Sequence, residues 1–154
     1  MVSEKFWIHR NLGKFDVKKA IFWMKDSTSM MGVPTFYTRL LASEELNTER
    51  AKHMRLFISG SAPLLSKTHI DFEKRTGKKI LERYGMSEAG IITSNPLDGE
   101  RVAGTVGFPL SGLNLRISGD HTANQITYLN PLADTDVNFK EGYFFPNVVF
   151  TITD

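Results

Sequence analysis

The sequence predicts an α/β fold, built from βαβ units on a mainly parallel sheet and passing into a β-rich C-terminal third. Three observations predict it. Amphipathic helical stretches alternate with short apolar runs between residues 16 and 83, the order that builds a parallel sheet through crossover connections. Small-residue segments follow the second and third apolar runs, where strand ends meet loops. Beyond Gly90, turn dipeptides and glycines punctuate short extended pieces.

The first helix is expected over residues 16–25, because Val17, Ala20, Ile21 and Met24 share one helical face and Asp16 is a good N-cap. The run Ser27 to Val33 reads as a buried strand ending before Pro34, which cannot donate to a central ladder. Thr35 offers an N-cap hydroxyl to a second helix carrying Phe36, Tyr37, Arg39, Leu40 and Leu41. The polar run Glu44 to His53 reads as a solvated helix or loop. Met54 to Ile58 is the next strand, closed by Ser59-Gly-Ser-Ala-Pro63, and a helix follows from Leu64 to Thr76. Its inward face is read as Leu65, Thr68, His69 and Phe72, with Gly77 as its stop. A third strand, Lys79 to Arg83, breaks at Tyr84-Gly85 into the loop Tyr84 to Gly90. Thr105 to Phe108 and Leu113 to Ile117 read as strands, and Ile126 to Leu129 and Val148 to Ile152 as β-prone. These divide the chain into a partial α/β unit over 1–118 and a β-rich tail over 119–154.

With 154 residues, 41% hydrophobic and 23% charged, the chain is long enough for one domain with a real core. A net charge of +2 without a basic stripe argues against nucleic acid as a partner. The absence of cysteine excludes disulfides, thiolate zinc sites and cysteine nucleophiles. No apolar stretch is long enough to span a bilayer, and the first residues lack a secretory pattern, so a soluble, cytoplasmic protein is expected, with a mitochondrial place the alternative in a eukaryote.

If the second and third strands are neighbours, the segments Ser59 to Pro63 and Tyr84 to Gly90 face one crevice at the carboxyl ends of a parallel sheet. Small residues at Ser59, Gly60, Ser61, Ala62 and Pro63 let a flat ring approach the backbone; a tight strand-to-helix connection is the alternative. Ser87 and Glu88 suit a Mg²⁺ ion with its phosphate, since that ion takes oxygen ligands, and suit a solvated turn equally well. The Arg39 fork fits a carboxylate, either of a substrate or of a structural partner. The four histidines His9, His53, His69 and His121 show no metal spacing, and the charged turn Asp98, Glu100, Arg101 has no support as a carboxylate pair. Neither a Gly-x-x-x-x-Gly-Lys nor a Gly-x-Gly-x-x-Gly pattern occurs.

Four segments taken together, Met31-Gly-Val-Pro-Thr-Phe-Tyr-Thr-Arg-Leu-Leu41, Leu56-Phe-Ile-Ser-Gly-Ser-Ala-Pro-Leu64, Glu82-Arg-Tyr-Gly-Met-Ser-Glu88 and Asn95-Pro96 with Gly99 to Gly112, resemble the middle of AMP-forming acyl-CoA synthetases. The malonyl-CoA synthetase branch is the nearest in kind, and the likeness runs from about Lys14 to Ile117. The resemblance implies part of the large N-terminal domain of adenylate-forming enzymes. It places Ser59 to Pro63 along adenine and the acyl pocket, with Ser59 shared between them. It puts Tyr84 and Gly85 at the adenine, Met86 beside the acyl group, Ser87 on phosphate and Glu88 on Mg²⁺. Ser87 and Glu88 are thereby the implied catalytic pair, and Arg39 the implied partner for the free carboxylate of a malonate-like acid. ATP or AMP, Mg²⁺, CoA and a small carboxylic acid are the implied ligands.

The family's phosphate loop, its Thr-Gly-Asp and its lysine-bearing C-terminal domain have no counterpart in this sequence. After Ser118 the likeness lapses and returns in part at Tyr128 to Pro131 and Phe139 to Phe144; the family's Thr-Gly-Asp is not found there, and a displaced ribose ligand at Asp154 is the lesser alternative to its absence. The expectation is a fragment of an acyl-CoA synthetase that does not turn over alone. The alternative is an inactive remnant serving nucleotide binding or protein interaction, including self-association; a split gene yields the same sequence.

Overall fold

The computed structural model describes residues 14–87, 90–118, 125–129 and 149–152, and the surroundings of side chains as far as residue 113. In chain order the elements are α1 (Val17–Met24), β1 (Ser29–Gly32), α2 (Pro34–Leu41), α3 (Thr48–Ala51), β2 (Leu56–Ser59), α4 (Ser66–Thr76) and β3 (Ile80–Met86). There follow β4 (Gly90–Ser94), β5 (Phe108–Pro109), β6 (Asn114–Ser118), β7 (Gln125–Leu129) and β8 (Val149–Ile152).

A sheet of order β1-β2-β3-β4-β5 forms the centre of the α/β part. β1, β2 and β3 run parallel, whereas β4 and β5 add on antiparallel. The sheet is therefore mixed, and parallel where helices intervene between strands. β6, β7 and β8 form a second sheet, antiparallel between β6 and β7 and parallel between β7 and β8.

One hydrophobic core lies between the larger sheet and all four helices: Ile21 and Met24 from α1, Tyr37 and Leu40 from α2, Ala51 from α3 and Phe72 from α4 meet Phe57 and Ile80 of the strands. Phe72 meets Tyr37 edge-on at 5.3 Å and Phe57 at 4.8 Å, arrangements that add to simple area burial. Because strand side chains alternate, Met30, Phe57 and Ile80 face this core while Met31, Leu56, Ile58 and Arg83 face the other way. No helix among the described residues joins a cluster on that second face, and Met31 there is 59% exposed.

Helix α1 forms where the periodicity predicts it, with Asp16 Oδ1 accepting from Lys19 N at 2.8 Å. The other elements differ in detail. Among the described residues β1 is the sheet's edge rather than a buried strand, since β2 alone pairs with it there. α2 starts at Pro34 with Val33 at the N-cap, so the Thr35 hydroxyl caps nothing; proline at the first helical position lacks an N–H that would have had no intrahelical partner. The polar run contributes a single turn, capped by Asn47, and buries Leu46 and Ala51 completely. α4 begins at Ser66, which leaves Leu65 outside the helix and 72% exposed while Leu64 turns inward. Gly77 ends α4 in the left-handed conformation, as its place after Thr76 predicts.

The third predicted strand extends well beyond Arg83. Tyr84, Gly85 and Met86 are its last residues, paired with β4, and a register shift between Tyr84 and Gly85 takes up the break that the Tyr-Gly pair suggested. Of the predicted strand Thr105 to Phe108 only Phe108 is one, paired together with Pro109 at the sheet's other edge. No described helix is long and apolar enough to cross a membrane.

Candidate functional site

β2 and β3 are parallel neighbours with Ser59 opposite Glu82, so the segments leaving Ser59 and Glu82 emerge side by side at one end of the sheet. The sequence-predicted groups Ser59, Gly60, Ser61, Ala62, Pro63, Tyr84, Gly85, Met86 and Ser87 are gathered there. Ser59 is 1% exposed and points to the helix-covered side, whereas Ser61, Ala62 and Pro63 are exposed. Ser61 is the one non-glycine residue in the described chain with positive φ, at 68°. Such backbone is uncommon outside glycine and is held by its surroundings.

Arg83 joins the two segments. Its guanidinium lies on the open side of Gly60, where a Cβ would stand 2.7 Å from Cζ and 2.8 Å from Nη1. Nη2 also reaches Met31 Sδ at 3.9 Å, and no carboxylate pairs with Arg83 among the described residues. This cation was not singled out from the sequence. The signal was present in the period of two, which puts Arg83 with Leu81 and away from Glu82.

Gly85 sits where β3 and β4 nearly touch: a Cβ there would be 2.3 Å from Gly90 O. Met86 is half-buried and Ser87 exposed on the turn. Glu88, the implied Mg²⁺ ligand, lies outside the described residues, as do Asp154 and Phe139 to Phe144. The described residues contain no group of three or more His, Cys, Asp or Glu able to hold a metal ion.

Arg39 is placed apart from this cluster in its bonding. Its Nη2 donates to Phe15 O at 2.6 Å and its guanidinium lies over the Phe15 ring at 5.0 Å, with Phe15 stacked on Phe36. Its partner in the structure is thus a backbone carbonyl and an aromatic face.

Beneath the cluster is a buried polar network that the sequence reading passed over. His69 Nδ1 lies 3.3 Å from Glu82 Oε1, both side chains being almost wholly buried, and Gly104 N donates to the same oxygen at 3.3 Å. Asn95 Nδ2 donates to Glu82 O at 3.2 Å and Thr105 O at 2.7 Å, and Asn95 Oδ1 accepts from Val102 N at 3.3 Å. Arg101, read as part of a charged turn, clamps the carbonyls of Lys79, Pro96 and Leu97. These bonds fix the ends of β3 and β4 from below.

The fold matches the N-terminal domain of adenylate-forming enzymes, and the chain belongs to the AMP-binding enzyme family, matched over residues 11–128. It is 43% identical over 130 residues to a malonate–CoA ligase of Arabidopsis thaliana, covering 79% of this chain and 21% of that protein. The ATP-bound structure of MatB from Rhodopseudomonas palustris superposes with a TM-score of 0.68 at 54% identity, over 71% of this chain and 22% of that one. A malonyl-CoA ligase with methylmalonyl-CoA and AMP bound superposes at 0.67 with 34% identity, over 90% of this chain and 34% of that one. The chain thus spans about a fifth of the length of the curated relatives it matches.

Proposed function

We propose that this chain is the adenine- and acyl-facing part of an ATP-dependent acid–thiol ligase that acts on malonate or a similarly small carboxylic acid. The observation that carries the reading is the side-by-side emergence of Ser59 to Pro63 and Tyr84 to Ser87 from adjacent parallel strands, with Arg83 seated on Gly60. The ligands named for the similar solved structures, ATP, AMP and methylmalonyl-CoA, support it.

In the proposed reaction a carboxylate oxygen of the acid attacks the α-phosphorus of ATP, pyrophosphate leaves, and the CoA thiol then displaces AMP from the acyl-adenylate. Tyr84 and Gly85 offer a ring and a close backbone approach for adenine, and Gly60, Ser61, Ala62 and Pro63 line its other side, while the buried Ser59 opens that loop from the helix-covered face. Met86 borders the acyl group and the Ser87 hydroxyl donates to a phosphate oxygen. Glu88 would hold a Mg²⁺ ion, which would supply neutralisation of phosphate charge. Two cations are offered to the free carboxylate of a dicarboxylic acid. Arg83 already lies at the crevice without an acidic partner among the described residues, while Arg39 is engaged with Phe15.

Isothermal titration of the 154-residue chain with ATP and with malonate tests the reading. ATP is expected to bind saturably, and Tyr84→Ala to weaken it by about tenfold or more, as loss of one stacked base does. Arg83→Ala is expected to weaken malonate more than Arg39→Ala. Absence of saturable ATP binding sinks the proposal. The chain alone is expected to form no malonyl-CoA, because it spans so small a part of its relatives.

One feature favours a second reading, an interaction module without turnover. The sheet face bearing Met31, Leu56 and Ile58 has no helical cover among the described residues, and parallel sheets are ordinarily covered on both faces. Sedimentation velocity separates the two: self-association through this face grows with concentration and is reduced by Met31→Lys, while a monomer at all concentrations removes this reading.

A further inference from the structure

Three buried polar side-chain atoms have no hydrogen-bond partner among the described residues: Ser59 Oγ, His69 Nε2 and Thr93 Oγ1. They are not scattered. Ser59 pairs with Glu82 across β2 and β3, and Phe57, two residues earlier, packs on Phe72 of α4, so Ser59 and Glu82 both face that helix. His69 descends from α4 onto the Glu82 carboxylate. Thr93 pairs with Tyr84, two residues beyond Glu82 on the same face. All three residues therefore lie on the helix-covered face of the sheet close to Glu82, each no more than 1% exposed. Glu82 itself is satisfied at Oε1 by His69 and Gly104.

A buried donor or acceptor left without a partner carries its full desolvation cost, and native interiors meet it with protein groups or ordered water. Here the chemistry of the lining selects water. An imidazole nitrogen and a hydroxyl leave a neutral guest that both donates and accepts, and the described residues offer no further carboxylate or histidine to draw a cation. We propose that Ser59, His69 and Glu82 enclose a buried hydration site in which one ordered water joins His69 Nε2 to Ser59 Oγ. Through that water His69 is a positioning residue for the loop that Ser59 opens, just as through Nδ1 it holds Glu82 for Gly104. The inference does not depend on a nucleotide meeting the loop.

Water-to-protein cross-relaxation in NMR, recorded on the full chain without nucleotide, tests it. A long-lived water contacting the His69 ring and Ser59 protons is expected, and its absence overturns the proposal. Two substitutions divide the roles of the ring. His69→Asn places an amide near Nδ1 and abandons Nε2, so Gly60 and Ser61 amide exchange is expected to rise about tenfold, the worth of one net hydrogen bond, while Gly104 stays protected. His69→Gln reaches toward Nε2 and abandons Nδ1, so the pattern is expected to reverse. Equal loss of protection at both places in both variants means that His69 acts by packing alone and refutes the positioning role. Where neither variant folds, the wild-type cross-relaxation decides.

Discussion

Replacing Gly107 with alanine is expected to cost about 3 kcal/mol, because the substitution meets both left-handed strain and overpacking against a neighbouring backbone. Its φ is 77°, and the added Cβ would lie 2.1 Å from Ser94 O, an atom that cannot swing aside as a flexible side chain does. Gly90 has a similar φ of 69° but no described atom within 4 Å of the same Cβ. Alanine there carries the backbone strain alone, about 1 kcal/mol. Urea unfolding of the two variants measures the difference. Tyr37 sets a pH dependence at the same scale. Burial raises its phenol pKa well above the ordinary value, while the hydrogen bond to Ile58 O acts the other way. The folded chain therefore keeps a proton that the unfolded chain releases, and stability falls as pH rises above about 10. Tyr37→Phe is expected to flatten that alkaline fall and to cost about 1 kcal/mol near neutral pH, the worth of the lost bond. Unfolding curves at neutral and alkaline pH check both effects.

Between elements, the side chain that ties most together is Asn95, at the end of β4. Its amide reaches Glu82 O of β3 and Thr105 O, and its carbonyl accepts from Val102 N. Asn95→Ala leaves Thr105 O and Val102 N without these partners, with an expected cost of about 2–3 kcal/mol in denaturant unfolding. Such long-range ties also explain which elements could be read from the sequence. Helix α1 was legible because its cap, Asp16, and its apolar spacing are local. The extension of β3 through Met86 was not, since Tyr84-Gly85 breaks a strand unless β4 returns to pair with it. His69 and Glu82 looked ordinary for a related reason: they lie thirteen positions apart, and only the packing of α4 on β3 brings them together. Among the site residues, composition alone left Ser59 to Pro63 and Tyr84 to Gly90 open between a turn and a ligand site, and it was the combined resemblance of the segments that singled them out. Arg83 was hidden behind its neighbours in the motif.

For the molecule as a whole, the same packing that gives one core also gives one uncovered sheet face, because all four helices settle on the side of Phe57 and Ile80. Its stability rests on that single layer of contacts, which is why Phe72, touching both Tyr37 and Phe57, stands at its centre. The mixed sheet has a further consequence, in the order of assembly. β3 and β4 are joined by a short hairpin, and hairpins close within about 1–10 μs. β1 and β2 pair only after the chain spanning α2 and α3 has looped back, and β2 and β3 only after α4 has done so. The turn carrying Ser87 is thus formed early on a local ribbon, and the crevice beside it comes into being when the slower parallel pairing brings Ser59 alongside Glu82.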